Sequence, residues 1–396
     1  MSDYKLKTVK IFNELKPNSP NIACLIMVKD EQKRINVTLE SIVGYVDSLV
    51  VYDTGSTDNT MEIIETFCEN KKINLHLIQG IFVDYSTSRN ILLKYADENI
   101  DTSFQLLMDC NDELRGGDLL KKFASMALND KTTIFLICQQ WKSPCSFDKY
   151  YNIRFIRSRS NIRYNGGVHE WAGEVNCEQG KTNHPARKIE DSIFLFQDRT
   201  QDDDKTGKRF FRDYEILLRD HIKNPSDSRT LFYLAQTAMC LKKYDETIYY
   251  SKLRAEISGF PEEIFHSYLR IAECSDALGH DWHDVLSYYF KSYELSGRIE
   301  PLIKISEHYI MQKSWKMAYM FLREACELEY PDNAILFVNK QYYDYQRWHL
   351  MGITGFYVNK MQEGRDACIK AVRQGNNLKE DRANLESYIK VVSDKK

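Results

Sequence analysis

The sequence has no pair of cysteines in C-x-x-C spacing, and its ten cysteines are scattered along 396 residues. Most of them stand inside apolar runs such as IACLIMV and IFLICQQ. Free cysteines buried in this way are typical of a reducing compartment, whereas disulfide frameworks and zinc sites need clustered cysteines. No apolar signal segment follows Met1. We therefore expect a cytoplasmic protein.

The chain also has few glycines and prolines, a small net charge and no long apolar run. With 17 Gly and 8 Pro the chain is neither collagen-like nor disordered. Lys and Arg total 54 against 57 Asp and Glu, a formal charge of −3, which argues against a nucleic-acid partner. No apolar run approaches the roughly 20 residues of a membrane-spanning helix, so we expect no transmembrane segment.

The length predicts two domains, at roughly 100–200 residues each, and the pattern changes near residue 205. Four apolar runs in the first part predict buried strands at 22–28, 48–53, 74–79 and 104–109, with helical patterns at 34–43, 60–68 and 88–95. This alternation predicts parallel strands with helical crossovers. The runs 132–140, 151–158 and 192–197 are less regularly spaced, as in an antiparallel extension of the sheet.

From 206 to 396 apolar residues recur at helical spacing, and no strand is predicted. One pattern, an apolar helix followed by a small polar turn and an aromatic residue, recurs at 233–246, 268–282 and 302–315. A fourth copy is predicted at 348–372. The pattern resembles the tetratricopeptide repeat, in which pairs of helices stack into a solenoid. We therefore predict an α/β domain over 1–205 followed by an all-α tetratricopeptide-like domain over 206–396.

Acidic residues follow the predicted strands at the points where the strands end. They are Asp30 and Glu31, then Asp53 and Asp58, then Asp84, then Asp109, Asp112 and Glu113. In an open parallel sheet, ligands bind outside these carboxyl ends. Helix capping is an alternative role for any one of them, Asp58 in particular, but it explains four successive strand ends poorly.

The sequence has neither G-x-G-x-x-G nor G-x-x-x-x-G-K-[ST], so a glycine-rich phosphate loop is not indicated. Carboxylates can accept from a ribose diol or a base N–H, and they can hold a divalent cation. Such a cation could neutralise a diphosphate leaving group. These residues favour a metal-bridged diphosphate over a dinucleotide or an ATP loop.

The run VVYDTGSTDNT after a KDE-ended strand, followed by Arg89-Asn90 and LLMDCNDE, resembles inverting family 2 glycosyltransferases of the GT-A fold. The resemblance covers roughly residues 20–200, and is closest to members whose catalytic domain precedes tetratricopeptide-like helices. It implies a Rossmann-like mixed sheet that binds a nucleotide-sugar. The residues it assigns to the donor are Glu31, Asp53 and Asp58 for uracil and ribose, Arg89 for the diphosphate and Asp109 for the ribose.

The resemblance also implies a divalent cation, Mn²⁺ or Mg²⁺, bound by Asp109, Asn111 and His169. Asn111 stands where the family carries a second Asp, and Gln197 stands where members often carry another His. In the segment RYNGGVHEW, Glu170 follows His169 and takes the implied role of general base.

The sequence thus predicts a metal-dependent inverting glycosyltransferase that uses a UDP-sugar as hexosyl or N-acetylhexosaminyl donor and a protein or glycan acceptor. The repeats would recruit the acceptor or a partner, and their end-to-end stacking could give a homodimer. The main alternative is an interaction scaffold with an inactive glycosyltransferase domain, favoured by Asn111 and by the absent second His. A nucleotidyltransferase ranks last. Such an enzyme would normally have a basic, glycine-rich loop after the first strand, whereas KDEQKR at this position has acidic residues directly after its first Lys and has no glycine.

Overall fold

The computed structural model describes residues 4–16, 19–142, 147–175, 186–200, 205–334 and 336–393. The chain divides into two compact units, Met1–Arg209 and Phe210–Lys396. Eight cysteines among the described residues are free thiols, and Cys145 and Cys177 lie outside those residues. Among the same residues, no helix has the length and apolar character needed to cross a membrane.

The first unit contains a large mixed sheet with helices on both faces. Its described strands are β1 (Lys5–Lys10), β2 (Ile22–Val28), β3 (Ser48–Asp53), β4 (Asn74–Gln79), β5 (Phe104–Asp109), β6 (Glu113–Arg115), β7 (Ile134–Lys142), β8 (Phe147–Arg157), β9 (Ile162–Asn165), β10 (Trp171–Glu174), β11 (Ala186–Lys188) and β12 (Phe194–Asp198). The sheet order is β1-β4-β3-β2-β5-β8-β7-β12-β6, with β11 paired to β7. Strands β9 and β10 form a separate antiparallel hairpin.

The four predicted parallel strands are confirmed as β2 to β5. Strand β2 pairs in parallel with β3 and β5, and β3 pairs in parallel with β4. Their continuous apolar runs are buried on both faces of the sheet, as is usual for parallel strands covered by helices. The helices of this part of the chain are α1 (Ile35–Ile42), α2 (Thr60–Lys71), α3 (Tyr85–Asn99) and α4 (Gly117–Ala127). Alternate residues of β2 belong to different core clusters, Ile22 to one and Ala23 to the other.

The predicted extension of the sheet is also present. Strand β8 runs antiparallel to both β5 and β7, whereas β12 is parallel to β7. Strand β1 was not predicted, because its sequence KLKTVK is polar and mostly exposed at the edge of the sheet, where it pairs antiparallel with β4. An edge strand has one free side, so it needs few apolar residues.

The second unit is helical, and its described residues contain no strand, as the sequence predicts. The helices from the unit boundary onward are α5 (Lys205–Lys223), α6 (Ser228–Cys240), α7 (Tyr244–Glu256), α8 (Pro261–Ala277), α9 (Trp282–Ser296), α10 (Glu300–Met311), α11 (Trp315–Glu327), α12 (Arg347–Tyr357), α13 (Met361–Gln374) and α14 (Leu378–Ser393). Helices α6 to α13 pack as four consecutive pairs, and α14 packs on the last pair. This is the helix-pair repeat expected from the sequence.

The register of the parallel strands brings their carboxyl ends to one edge. Val28 at the end of β2 is opposite Asp53, and Asp53 is opposite Gln79 at the end of β4. On the other side of β2, Met27 is opposite Asp109. The predicted donor-binding residues therefore stand at the ends of adjacent strands.

Candidate active site at the carboxyl edge of the sheet

The loops after β2 and β3 are tied together by hydrogen bonds to backbone groups. Asp30, at a φ of 53°, accepts the N–H of Thr57 at 2.7 Å. The N–H of Glu31 donates to Thr60 Oγ1 at 2.7 Å, and Glu31 Oε2 accepts from Arg34 Nε at 3.1 Å. Glu31 is thereby held at the end of β2 with its carboxylate largely buried.

Asp53 is buried at the end of β3, and both of its carboxylate oxygens have partners within the sheet edge. Oδ1 accepts the N–H of Ser56 at 2.8 Å, and Oδ2 accepts from Gln79 Nε2 at 2.8 Å. These bonds shape the turn after β3. Each carboxylate oxygen can accept a second hydrogen bond, so they do not prevent Asp53 from binding a ligand.

Asp58 supports the start of α2. Its carboxylate accepts the N–H of Thr60 at 3.0 Å and the N–H of Gln32 at 3.2 Å. Asn59, not Asp58, occupies the N-cap position of α2, and Asp58 supports the first helical residue from one position before the cap. Its predicted contact with a nucleotide stays a prediction.

Arg89 joins two of the predicted site residues. From the first turns of α3, its Nη2 donates to Asp109 Oδ1 at 2.5 Å and its Nε donates to Glu170 Oε1 at 2.8 Å. All three side chains are largely buried. Burial would lower the pKa of Arg89, but the charges of Asp109 and Glu170 outweigh burial and raise it well above its usual range. The guanidinium therefore stays charged between two carboxylates.

Asn90, the neighbour of Arg89, attaches the β9–β10 hairpin to α3. Its Nδ2 donates to the carbonyl of Tyr164 at 2.9 Å, and its Oδ1 accepts the N–H of Tyr164 at 2.8 Å. The N–H of Tyr85 adds a bond to the carbonyl of Gly167 at 3.1 Å. The hairpin loop that carries Glu170 is thus held against the helix that carries Arg89.

Arg154 is a site residue that the sequence analysis missed. From β8, its Nη2 donates to Asp109 Oδ2 at 3.0 Å and to Gln139 Oε1 at 3.1 Å. Burial would raise the pKa of Asp109, but Arg154 and Arg89 outweigh burial and hold it well below its usual range. The signal in the sequence was an arginine inside the apolar run YNIRFIRS, since a buried charge needs a partner.

Beneath the loop after β5 lies a buried polar cluster. Asp112 is fully buried and accepts the N–H of Asp109 at 2.8 Å, and its Oδ1 accepts from Gln139 at 3.1 Å and from Gln197 at 2.6 Å. Burial, and next the charge of Asp109, raise the pKa of Asp112 to about 6. Gln197 also donates to Asn111 Oδ1 at 3.2 Å. The residue that stands in place of a family histidine therefore does lie beside Asn111.

His169 lies in the loop between β9 and β10, exposed, at a φ of 51°. It is next to Glu170 in the chain, and Glu170 reaches Arg89 and through it Asp109. The structure thus brings together Arg89, Asp109 and Glu170, and separately Asp109, Asn111 and Gln197.

The residues predicted to bind a divalent cation do not fit one as they are arranged here. Both oxygens of Asp109 accept from guanidinium groups, and the side-chain oxygen of Asn111 accepts from the amide of Gln197. In turn, Gln197 Oε1 accepts from Arg199 Nε at 2.9 Å and Nη2 at 2.7 Å. Among the described residues, no three His, Cys, Asp or Glu side chains are grouped so that they could hold a metal.

Residues 24–183 match the family model described as glycosyl transferase family 2. The SPbeta prophage-derived glycosyltransferase SunS of Bacillus subtilis (strain 168) is 25% identical over 239 residues, which cover 60% of this chain and 54% of that protein. Glycosyltransferase SunS of Bacillus phage SPbeta matches with the same identity and coverage. The chain therefore spans about half the length of the curated relatives it matches.

Among solved structures, S. aureus TarS 1-349 in complex with UDP-GlcNAc is 14% identical, at a TM-score of 0.37, over 93% of this chain and 92% of that chain. The MamA protein is 11% identical, at a TM-score of 0.34, over 44% of this chain and 86% of that chain. The family match, residues 24–183, runs from β2 through the β9–β10 hairpin, and thus includes Arg89, Asp109 and Glu170. Over residues 24–183 this chain is therefore similar to glycosyl transferase family 2.

Proposed function

We propose that this protein is an inverting glycosyltransferase that moves a sugar from a nucleotide-diphosphate donor to a protein or glycan acceptor. We further propose a UDP-sugar as donor and a hexosyl or N-acetylhexosaminyl group as the sugar. The family 2 domain supports the reaction class. The observation that carries the proposal is the line of contacts from Asp109 through Arg89 to Glu170 at the carboxyl edge of the sheet.

In the proposed reaction, Glu170 accepts the proton of the acceptor hydroxyl as its oxygen attacks the anomeric carbon. The bond between that carbon and the diphosphate oxygen breaks, both electrons leave with the nucleoside diphosphate, and the configuration inverts. Arg89 donates to Glu170 at 2.8 Å, which fixes the direction of the carboxylate. The same guanidinium can stabilise negative charge that develops on the leaving group.

Glu31 and Asp53 are proposed to bind the uracil and ribose of the donor, with Asp58 in a lesser role. Supporting this, the two strands that end at these residues are neighbours, with Val28 opposite Asp53. Carboxylates at this edge can accept hydrogen bonds from a ribose diol and from a base N–H.

A divalent cation has no step in this proposal. The sequence led us to expect Mn²⁺ or Mg²⁺, but the side-chain oxygens of Asp109 and Asn111 already accept from Arg89, Arg154 and Gln197.

For the helical unit we propose recruitment of the acceptor or of a protein partner. Stacked helix pairs give a long surface, and Tyr249 and Tyr357 are more than half exposed on it. Aromatic side chains of this kind suit peptide or sugar ligands. Homodimerisation through the repeats and the cytoplasmic location stay predictions.

A second candidate function is an interaction scaffold whose family 2 domain is inactive. Asn111 and Gln197 favour it, because these residues replace the charged or imidazole groups of the family at neighbouring positions. The contacts among Arg89, Asp109 and Glu170 oppose it. The two functions differ in whether the protein binds a nucleotide-sugar at all.

The test is a thermal-shift panel of the full-length protein with UDP, GDP, CMP and their common sugars, each with and without manganese. A ligand that binds the folded state raises the unfolding midpoint. We expect UDP and a UDP-sugar to raise it. If none of the nucleotides shifts the midpoint under either condition, the scaffold is the better account.

A further inference from the structure

Two hydrogen-bond donors next to Asp109 are buried without an acceptor. In the described part of the chain, Arg154 Nε and the hydroxyl of Tyr164 make no hydrogen bond. The side chain of Arg154 is 8% exposed, and Tyr164 is also buried. Buried donors in native proteins are almost always satisfied. Two such donors beside one carboxylate can donate to an acceptor that comes from outside the chain.

Arginine side chains accompany these two donors in the site. Arg89 lies over the ring of Tyr164, with its guanidinium carbon 5.2 Å from the ring centroid. Arg89 donates to Oδ1 of Asp109, and Arg154 donates to Oδ2 at 3.0 Å and to Oδ1 at 3.5 Å. A third guanidinium, that of Arg199, donates to Gln197 and stacks on Trp141 at 3.6 Å.

This arrangement suits an anion better than a cation. A metal ion bound to Asp109 would share its oxygens with guanidinium N–H groups, and it would lie beside two positive charges that repel it. A diphosphate would instead meet charged donors and the unbonded hydroxyl of Tyr164. Guanidinium groups match the geometry of phosphate oxygens.

We propose that Arg89, Arg154 and Tyr164 form a diphosphate site that neutralises the donor without a divalent cation. Asp109 acts in this site as the counter-ion that holds the two guanidinium groups in position. The inference rests on the proposed function and deepens it, since it replaces the metal expected from the sequence with residues of the chain. When the bond between the sugar and the diphosphate breaks, the electron pair moves onto a diphosphate oxygen beside Arg89 and Arg154.

The test is isothermal titration of the full-length protein with UDP, GDP, UMP and GMP, in EDTA and in manganese. We expect the affinity for the preferred diphosphate to be equal within about twofold in the two buffers. The diphosphate should bind at least about tenfold more tightly than its monophosphate, because charged hydrogen bonds to one more phosphate are added.

Three variants test the residues. Arg154→Met and Tyr164→Phe should each weaken diphosphate binding. We expect a loss of about tenfold or more for Arg154→Met and of several-fold for Tyr164→Phe, which removes a hydroxyl that makes no hydrogen bond within the described residues. Arg163→Met is the matched control, because Arg163 is a partly buried arginine of β9 that pairs with Asp97 rather than Asp109. It should bind diphosphate like the wild type. Circular dichroism confirms that each variant is folded.

Diphosphate binding that requires manganese would overturn this inference and leave the proposed function standing. Unchanged binding by folded Arg154→Met would also overturn it, and if that variant does not fold, unchanged binding by Tyr164→Phe does so. Binding of none of the four nucleotides in either buffer would overturn the proposed function as well. Metal-independent binding that both variants weaken and the control retains supports the site.

Discussion

Nε of Arg89 donates to Oε1 of Glu170 at 2.8 Å, although 81 residues separate them in the sequence. The contact links helix α3, which packs on the large mixed sheet, to the hairpin loop that carries the proposed base. It depends on the hairpin being held in place, which Asn90 does through two bonds to the backbone of Tyr164. The proposed donor site and the proposed base thus share one arginine.

Glu170→Gln should abolish sugar transfer and retain donor binding. The amide keeps the size of the side chain but cannot accept the proton of the acceptor, and general-base catalysis is worth about 10²–10⁴-fold. We expect donor hydrolysis, with water as acceptor, to fall by at least about a hundredfold while UDP affinity changes by less than about fivefold. Activity within a few-fold of the wild type would show that another group is the base.

Asn90→Ala should loosen the hairpin. Loss of two bonds to buried backbone groups should lower the free energy of unfolding by about 1–3 kcal/mol. Hydrolysis of the donor should fall with it, because Glu170 is no longer aligned with Arg89. Asn99→Ala is the control, since Asn99 at the end of the same helix bonds to the carbonyl of Tyr95 within α3. If both variants lose the same activity, the hairpin contact is not what matters.

His266 should make the helical unit sensitive to mild acid. Burial, and next the charges of Arg270 and Arg298, lower its pKa to about 3, against a usual 6.5. The unfolded chain therefore takes up a proton between these values while the folded chain does not, so stability is full above about pH 6.5 and falls as the pH falls.

Between pH 7.5 and pH 5 this effect amounts to about 2 kcal/mol. Urea unfolding at the two pH values, compared between wild type and His266→Gln, measures it. The variant should lose less stability on acidification than the wild type does. An equal loss in the two proteins would show that His266 is protonated in the folded state.

Gly364→Ala should destabilise the packing of α13 on α14. A Cβ at this position would meet the hydroxyl of Tyr388, which donates to the carbonyl of Gly352 at 2.7 Å. We expect a loss of about 1–3 kcal/mol in the free energy of unfolding, as for other overpacked sites. Gly207→Ala in α5 is the control, because nothing lies within 4 Å of its added Cβ. The control should be neutral or slightly stabilising in the same urea titration.

The parallel strands were predictable because each is a continuous apolar run that ends at an acidic residue. Strands β2 to β5 begin and end where the sequence predicted, and their polar ends share one edge. The helix pairs were predictable from a different pattern, apolar residues at helical spacing that recurs along the chain.

Long-range pairing was not predictable. Arg154 reaches Asp109 only because β8 pairs antiparallel with β5, over a separation of 45 residues. Local sequence pattern also does not reveal that the carboxylate of Asp53 shapes the turn after β3 and accepts from Gln79. The oxygens that the sequence assigned to a metal are occupied by arginine and amide donors, which only the folded arrangement reveals.

The most direct test of the account is ¹H NMR of the sugar that the full-length protein releases from a UDP-α-sugar by slow hydrolysis, with Glu170→Gln as the control. An inverting enzyme with Glu170 as base releases the β-anomer first, before mutarotation, and the variant releases none above background. Initial release of the α-anomer, or no release from any UDP-sugar by the wild type, would contradict the account.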